Sequence, residues 1–268
     1  MFIKCIEQGY SLGLKQDTDP KRLCKRVWNI VRTKQDCLCM LQRIRKELEK
    51  GQIEPGVGHY QLNLLCVPKK DSETGLMIGI RVARHGSFAH KGNHRLRRGK
   101  TWCETFSIND MVTQEARVMK LPNFRDYVRL LYPYAYASLR DLKDAFRQLV
   151  LALSDQEFIQ YSLFGLRFRD LRVAYGEAAA AACCQEFSTL IIWICENKLP
   201  EFRERLGQMA VHVDDFLIVA RSAANCSEMT TAFDRLLGEL GVHISVAKNE
   251  DCVQRAVVHG FGFKLDVP

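Results

Sequence analysis

The spacing of hydrophobic and polar positions changes several times along the chain, and each change marks an element. Leu23, Val27, Ile30 and Val31 recur at helical spacing after Asp19-Pro20, an N-cap followed by proline at the first helical position. Leu38, Leu41, Ile44 and Leu48 form a second helical stripe, closed by Gly51. Pro55, Gly56 and Gly58 mark a loop. Leu62 to Val67 then reads as a buried strand, and Leu76 to Ala83 as another beyond a turn at 72–75. Asn123 caps a short helix with Phe124, Val128 and Leu131 on one face, stopped by Pro133.

Beyond that point apolar residues begin to alternate. A strand starting at Ala137 places Leu139, Asp141 and Lys143 on one face, with Asp141 at its end and Asp144 a turn further on. Phe158 to Phe164 and Leu166 to Ala174 form a hairpin around Gly165. Gly176-Glu177 opens an alanine-rich helix burying Cys183, Phe187, Leu190, Ile191 and Ile194. A second long helix, capped by Ser227 and closed by Gly241, buries Met229, Ala232, Phe233, Leu236, Leu237 and Leu240. Val242 to Val246 reads as a strand, and a last hairpin spans Arg255 to Leu265. The pattern is α+β, with an antiparallel sheet backed by helices.

The stretch Met209 to Ala220 organises the rest. Two apolar, β-branched runs flank Asp214-Asp215, so the segment reads as a hairpin whose two-residue loop is the aspartate pair. Adjacent carboxylates between apolar strands push one another towards the neutral form unless a counter-charge intervenes. Mg²⁺, a hard cation that prefers carboxylate oxygens, resolves that conflict. An isolated Asp-Asp is more simply a solvated acidic turn, and Asp141, Lys143 and Asp144 could equally form surface ion pairs. Joined with Asp141, the pair makes a three-carboxylate cluster of the kind two-metal phosphoryl transfer requires.

Composition narrows the class. The 268 residues, 47% hydrophobic and 26% charged, describe an ordinary globular protein. Eleven cysteines are scattered without CxxC pairs, so a reduced, intracellular protein of cytoplasm or nucleus is expected. No signal layout or membrane-length apolar run occurs, and no membrane partner is expected. Seven Lys and Arg between Arg81 and Lys100, with no acid, account for most of the net charge of +8. Such a block is either a solvated loop or a phosphate-facing surface. His90, His94 and Cys103 lie in this region without a second ligand pair, and a metal site there is not expected.

The order of these elements over residues 40 to 268 resembles a reverse transcriptase, the fingers and palm of a right-hand polymerase. Pro68-Lys69-Lys70, Arg81 with Arg84-His85, Ser107-Ile108-Asn109-Asp110 and Phe187-Ser188-Thr189 look like the DIRS-like, tyrosine-recombinase class of retrotransposons. The resemblance implies an N-terminal basic helical extension (1–52), a fingers-like part with a basic insertion near 89–105 (53–135), and a palm-like part ending at a primer-grip hairpin (136–268). A thumb is expected to be absent or truncated. Asp141, Asp214 and Asp215 would hold two Mg²⁺ (or Mn²⁺) ions, and Lys248 would protonate the leaving pyrophosphate. Lys69, Arg81, Asp144 and Gly176 would bind the nucleotide, Phe146 would exclude a ribose 2′-hydroxyl, and Phe261-Gly262 would grip the primer. Expected partners are an RNA or DNA template with its primer, deoxynucleoside triphosphates, and further polyprotein domains such as a thumb, ribonuclease H or recombinase.

The chain departs from the family pattern at three points. His212 stands where tyrosine is usual, Ala174-Tyr175-Gly176 lacks the usual proline, and Glu177 with five alanines follows. Glu177 is expected to weaken triphosphate binding by its charge. Three functions therefore stay open: an RNA-directed DNA polymerase, a decayed or co-opted fold that binds RNA or DNA without catalysis, and a viral RNA-directed RNA polymerase. Phe146 disfavours the last.

Overall fold

The computed structural model describes residues 5, 7–23, 29–70, 76–87, 94–95, 101–102, 106–204, 206–258 and 261–266; at residues 22, 70, 77–79, 81, 85, 94–95, 101–102, 124 and 261 it describes backbone only. His90 and Cys103 lie outside the described residues. Contacts divide the chain into two compact units, 3–118 with 149–180, and 119–148 with 181–268.

The first unit is built on a five-stranded sheet in the order β1-β8-β7-β2-β3. Its strands are β1 (Ile53–Pro55), β2 (Tyr60–Lys70), β3 (Met77–His85), β7 (Ile159–Leu163) and β8 (Leu166–Asp170). The β7–β8 hairpin turns at Phe164-Gly165, both at positive φ (50° and 83°) as a tight two-residue loop requires. The sheet is not purely antiparallel, because β2 and β7 pair in parallel. A parallel pair needs a long crossover, and here the chain between the two strands supplies it.

Helix α1 (Lys34–Glu49) begins with a capping box between Thr33 and Asp36. Its buried face is Asp36, Met40, Ile44 and Glu47, not the leucine stripe: Leu38, Leu41 and Leu48 are exposed. Polar partners set that orientation. Arg84 of β3, itself buried, lies 2.6 Å from Glu47 Oε2 and 2.9 Å from Asp170 Oδ2, with its guanidinium 4.9 Å from the centre of the Tyr161 ring. Of the helix expected from Leu23 to Val31, residues 24–28 lie outside the described residues; at its ends Leu23 is extended after a 3₁₀ turn, Pro20–Arg22, and Ile30 bridges Leu65. Asp19 caps that turn as anticipated, accepting from Lys21 N–H at 2.8 Å. In the basic segment, β4 (His94–Arg95) pairs with β5 (Thr101–Trp102).

The second unit carries a four-stranded, wholly antiparallel sheet in the order β11-β6-β10-β9. Its strands are β6 (Tyr136–Asp141), β9 (Gly207–His212), β10 (Asp215–Ala220) and β11 (Glu250–Val253). β10 is central and covered on both faces. Leu217 and Val219 pack with Ala135, Ala137 and Leu265, joined by Tyr127, Leu130 and Leu131 from α2 (Phe124–Leu130) and its C-cap. Val128, expected on that face, is exposed. Phe216 meets Phe233 of α4 (Ala223–Glu239), ring centres 5.0 Å apart, on the opposite face.

Between α2 and α4 the chain forms α3 (Ala180–Lys198), the alanine-rich helix. Ser222, not Ser227, caps α4, since it is Ser222 that accepts from Asn225 N–H at 3.1 Å. The strand expected over 242–246 shrinks to a single bridge, Ile244 with Leu142, followed by a 3₁₀ turn, Val246–Lys248. The terminal hairpin forms as β12 (Arg255–Val258) and β13 (Phe261–Lys264). Among the described residues no helix is long and apolar enough to cross a membrane.

Candidate active site

Asp141 and Asp215 face each other directly in the β6–β10 register. Opposed residues on one sheet face lie about 5 Å apart at Cβ, and like charges there repel. Asp214 occupies the loop just before β10. Because Asp215 already pairs with His212, the two-residue loop is Val213-Asp214, one position earlier than the aspartate pair that sequence alone suggested. The shift matters chemically. It puts Asp215 on a rigid strand and leaves only Asp214 in the turn.

Val213 carries the strain of that turn, with φ of 58°. Positive φ at the first loop residue alone fits a type II′ hairpin, where glycine is preferred. For a residue with a Cβ, the left-handed region costs about 1–2 kcal/mol. Helix α3 holds the loop there. Gln185 Oε1 accepts from Val213 N–H at 2.6 Å, and Ser188 Oγ donates to the Val213 carbonyl at 2.5 Å. On the far side, Leu142 N–H donates to the Asp214 carbonyl at 3.0 Å.

The electrostatics follow from the crowding. Burial, then Asp141, raises the Asp214 carboxyl above its ordinary range. Burial, then Asp214 and Asp141, pushes Asp215 up to about 7. Lys248 opposes both shifts, and its Nζ lies 2.5 Å from Asp141 Oδ2. His212 also pulls Asp214 down. A cavity of about 290 Å³ opens beside this cluster, lined by Asp141, Asp215, Lys248, Glu250, Val257 and Val258 among others. The last two belong to β12, whose partner strand β13 carries Phe261 and Gly262.

The donor set suits Mg²⁺ in kind, three carboxylates without a soft ligand. Among the described residues, however, no three His, Cys, Asp or Glu side chains are gathered so as to hold an ion as they stand. In this arrangement the Lys248 ammonium takes the Asp141 oxygen.

No protein-family model matches the chain. Over 151 residues it is 29% identical to the Gag-Pol polyprotein of feline leukemia virus, a match covering 54% of this chain and 8% of that polyprotein. Among solved structures, the foamy viral protease–reverse transcriptase in complex with double-stranded DNA superposes with a TM-score of 0.66 at 16% identity, covering 94% of this chain and 38% of that one. The same protein in complex with an RNA/DNA hybrid gives 0.64 at 16% identity, covering 94% and 29%. The fold is that of a reverse transcriptase. The chain spans a small part of each of these relatives, and the DIRS-like subtype finds no counterpart among them.

Within this reverse-transcriptase-like fold, the second unit brings together Asp141, Asp214, Asp215 and Lys248. Asp144 is an exposed turn residue with φ of 51°, and Phe146 is half-buried in the 3₁₀ turn Ala145–Gln148 that follows. Lys69, Arg81 and Gly176 belong to the first unit. Lys69 is exposed on β2 opposite Gly79, and Arg81 pairs with Val67. Gly176, at φ of 109°, lies in a turn stapled by Asn109, whose Nδ2 donates to the Gly176 carbonyl at 3.0 Å and whose Oδ1 accepts from Ala178 N–H at 2.9 Å. Glu177 is buried, with Oε2 accepting from Ala174 N–H at 3.2 Å. Its carboxylate thus serves the turn it sits in.

Three contributors escaped the sequence reading. Gln185 sits in an apolar helix without a pattern to single it out, and Ser188 was legible only as part of the Phe187-Ser188-Thr189 match. Tyr127 of α2, packed against the core that contains Leu217 and Val219 of β10, has its phenol pushed up to about 12 by burial and then by Asp215.

Proposed function

We propose that this chain is the fingers-and-palm core of a retroelement RNA-directed DNA polymerase. The observation that carries the reading is the directly opposed Asp141–Asp215 pair with Asp214 in the adjoining turn. Residues 136–268 act as the palm and 53–135 as a fingers-like part, preceded by a basic extension over 1–52. Nucleic-acid complexes of the foamy viral enzyme and the kinship with Gag-Pol support an RNA or DNA template as partner.

In this reading Asp141 and Asp214 are the principal ligands of two Mg²⁺ ions, with Asp215 completing the acidic set. Bound there, the ions would activate the primer 3′-hydroxyl and stabilise charge developing on the transferred phosphoryl group. The protein's own part is positional and electrostatic. The sheet holds Asp141 and Asp215 at fixed register, and Lys248 balances their charge and donates a proton to the departing pyrophosphate. Lys69 and Arg81 engage the triphosphate, Asp144 and Gly176 border the nucleotide, and Phe146 closes on the sugar 2′-position. The hairpin at Phe261-Gly262 supports the primer.

The test is primer extension on an RNA template with Mg²⁺ or Mn²⁺, wild type beside Asp214→Asn. Extension by wild type that vanishes in the variant, with primer–template binding nearly unchanged, is the expected outcome. Equal extension by both would overturn the metal assignment, and tight salt-sensitive binding without extension by wild type would favour a fold retained only for binding nucleic acid.

A further inference from the structure

The two-residue loop between β9 and β10 has no glycine, yet it holds a left-handed residue, Val213. A β-branched side chain resists that conformation, so the loop needs outside restraint. Both backbone polar groups of Val213 are engaged by α3, through Gln185 Oε1 at 2.6 Å and Ser188 Oγ at 2.5 Å; Cys184 Sγ approaches the same carbonyl at 3.6 Å. The Gln185 amide also reaches the Val211 carbonyl at 3.5 Å, so one side chain brackets His212. It is fixed from behind as well, donating to Thr189 Oγ1 at 3.3 Å. Gln185 is buried and Ser188 fully so. These side chains lie one turn apart on α3, which points both at one residue, engaging the peptide groups on either side of its Cα.

We infer that Gln185 and Ser188 are positioning residues: they clamp Val213 in its left-handed conformation and thereby set the direction in which Asp214 presents its carboxylate beside Asp141. This rests on the polymerase reading above. Neither residue touches the carboxylates, so each acts through the backbone. With the clamp gone, Val213 relaxes towards negative φ and the Asp214 carboxylate leaves its place beside β6. Binding of primer and template, which involves other surfaces, is left intact.

The test compares wild type, Gln185→Leu, and Gln185→Leu combined with Val213→Gly. In Gln185→Leu we expect extension at saturating nucleotide to fall by about tenfold to a hundredfold, with primer–template affinity nearly unchanged. Amide exchange across 211–216 in the free protein should accelerate in the same variant. Val213→Gly, which accepts positive φ without cost, should restore much of the lost rate. Unchanged exchange in Gln185→Leu overturns the clamp, and a double variant no better than the single one overturns its action through Val213. If wild type shows no extension, the polymerase reading fails, while the exchange comparison still decides whether Gln185 holds the loop. Should Gln185→Leu not fold, Ser188→Ala carries the same comparison, since it removes one hydroxyl from an otherwise intact helix.

Discussion

Lys248 and Asp141, 107 residues apart in sequence, meet at 2.5 Å, and that pair is the counter-charge of an otherwise all-acidic cluster. The ammonium occupies an oxygen that a divalent cation would also claim. Replacing Lys248 with methionine should therefore have two opposite effects on melting temperature. Without divalent ions the variant should melt lower than wild type, because three carboxylates lose their cation. With Mg²⁺ added, its melting temperature should rise more than that of wild type. An equal Mg²⁺ response in both proteins would show that the lysine and the metal do not compete.

Asp215 sets a pH dependence. Its folded-state carboxyl is raised from 3.8 to about 7, so the native state binds more protons than the unfolded chain between those values. Its contribution to stability is fully present below pH 4 and is lost as pH rises through 7. In metal-free buffer the advantage of wild type over Asp215→Asn in melting temperature should shrink from pH 5 to pH 8. Saturating Mg²⁺ should narrow that decline, since a bound cation favours the ionised carboxylate. A gap independent of pH would remove the coupled carboxylates as its source.

In the first unit, buried Arg84 bridges two buried acids, Glu47 and Asp170, and the partly exposed Arg43 also reaches Glu47. Removing one partner of a buried network leaves uncompensated charge, at a cost of about 3–5 kcal/mol. Arg84→Met should lower unfolding free energy by that order in chemical denaturation. Adding Glu47→Gln and Asp170→Asn should recover part of it, because neutral amides no longer need the guanidinium. No recovery would mean that shape, rather than charge, accounts for the loss.

Phe146 stands half-buried in a 3₁₀ turn just beyond β6. If its ring excludes the 2′-hydroxyl, Phe146→Ala should raise ribonucleotide incorporation relative to deoxynucleotide by about tenfold or more, since exclusion by a built-in clash is lost with the clash. A variant that still selects deoxynucleotides would place sugar discrimination elsewhere.

Much of this architecture is legible along the chain because its causes are local. Asp19-Pro20, Asn123 and Gly241 mark helix ends by capping and by backbone freedom, and the alternation through Ala137, Leu139 and Asp141 is that of a strand. The order of Asp141, Phe146, Gly176, Asp214-Asp215 and Lys248 was likewise readable, as was the reverse-transcriptase fold that their order implies. Local signals misled where a distant partner decided. The leucines of α1 form a convincing stripe, yet Glu47 and Asp36 turn inward because Arg84 and the N-terminal cap require them. Ile30 belongs to the apolar repeat that begins at Leu23, but Leu65 draws it into a bridge.

What the sequence determined by itself is therefore the inventory: element types, most of their ends, and a set of acidic residues in a telling order. Only the tertiary structure decided the register. A two-residue loop can start at Val213 or at Asp214 with nearly the same apolar pattern, and the choice rests on hydrogen bonds from Gln185, Ser188 and Leu142, contributed by other elements of the fold. That single-residue difference sets Asp215 opposite Asp141 on the sheet and leaves Asp214 at the turn. It could not be read from spacing, because side chains on a helix 25 and 28 residues upstream enforce it.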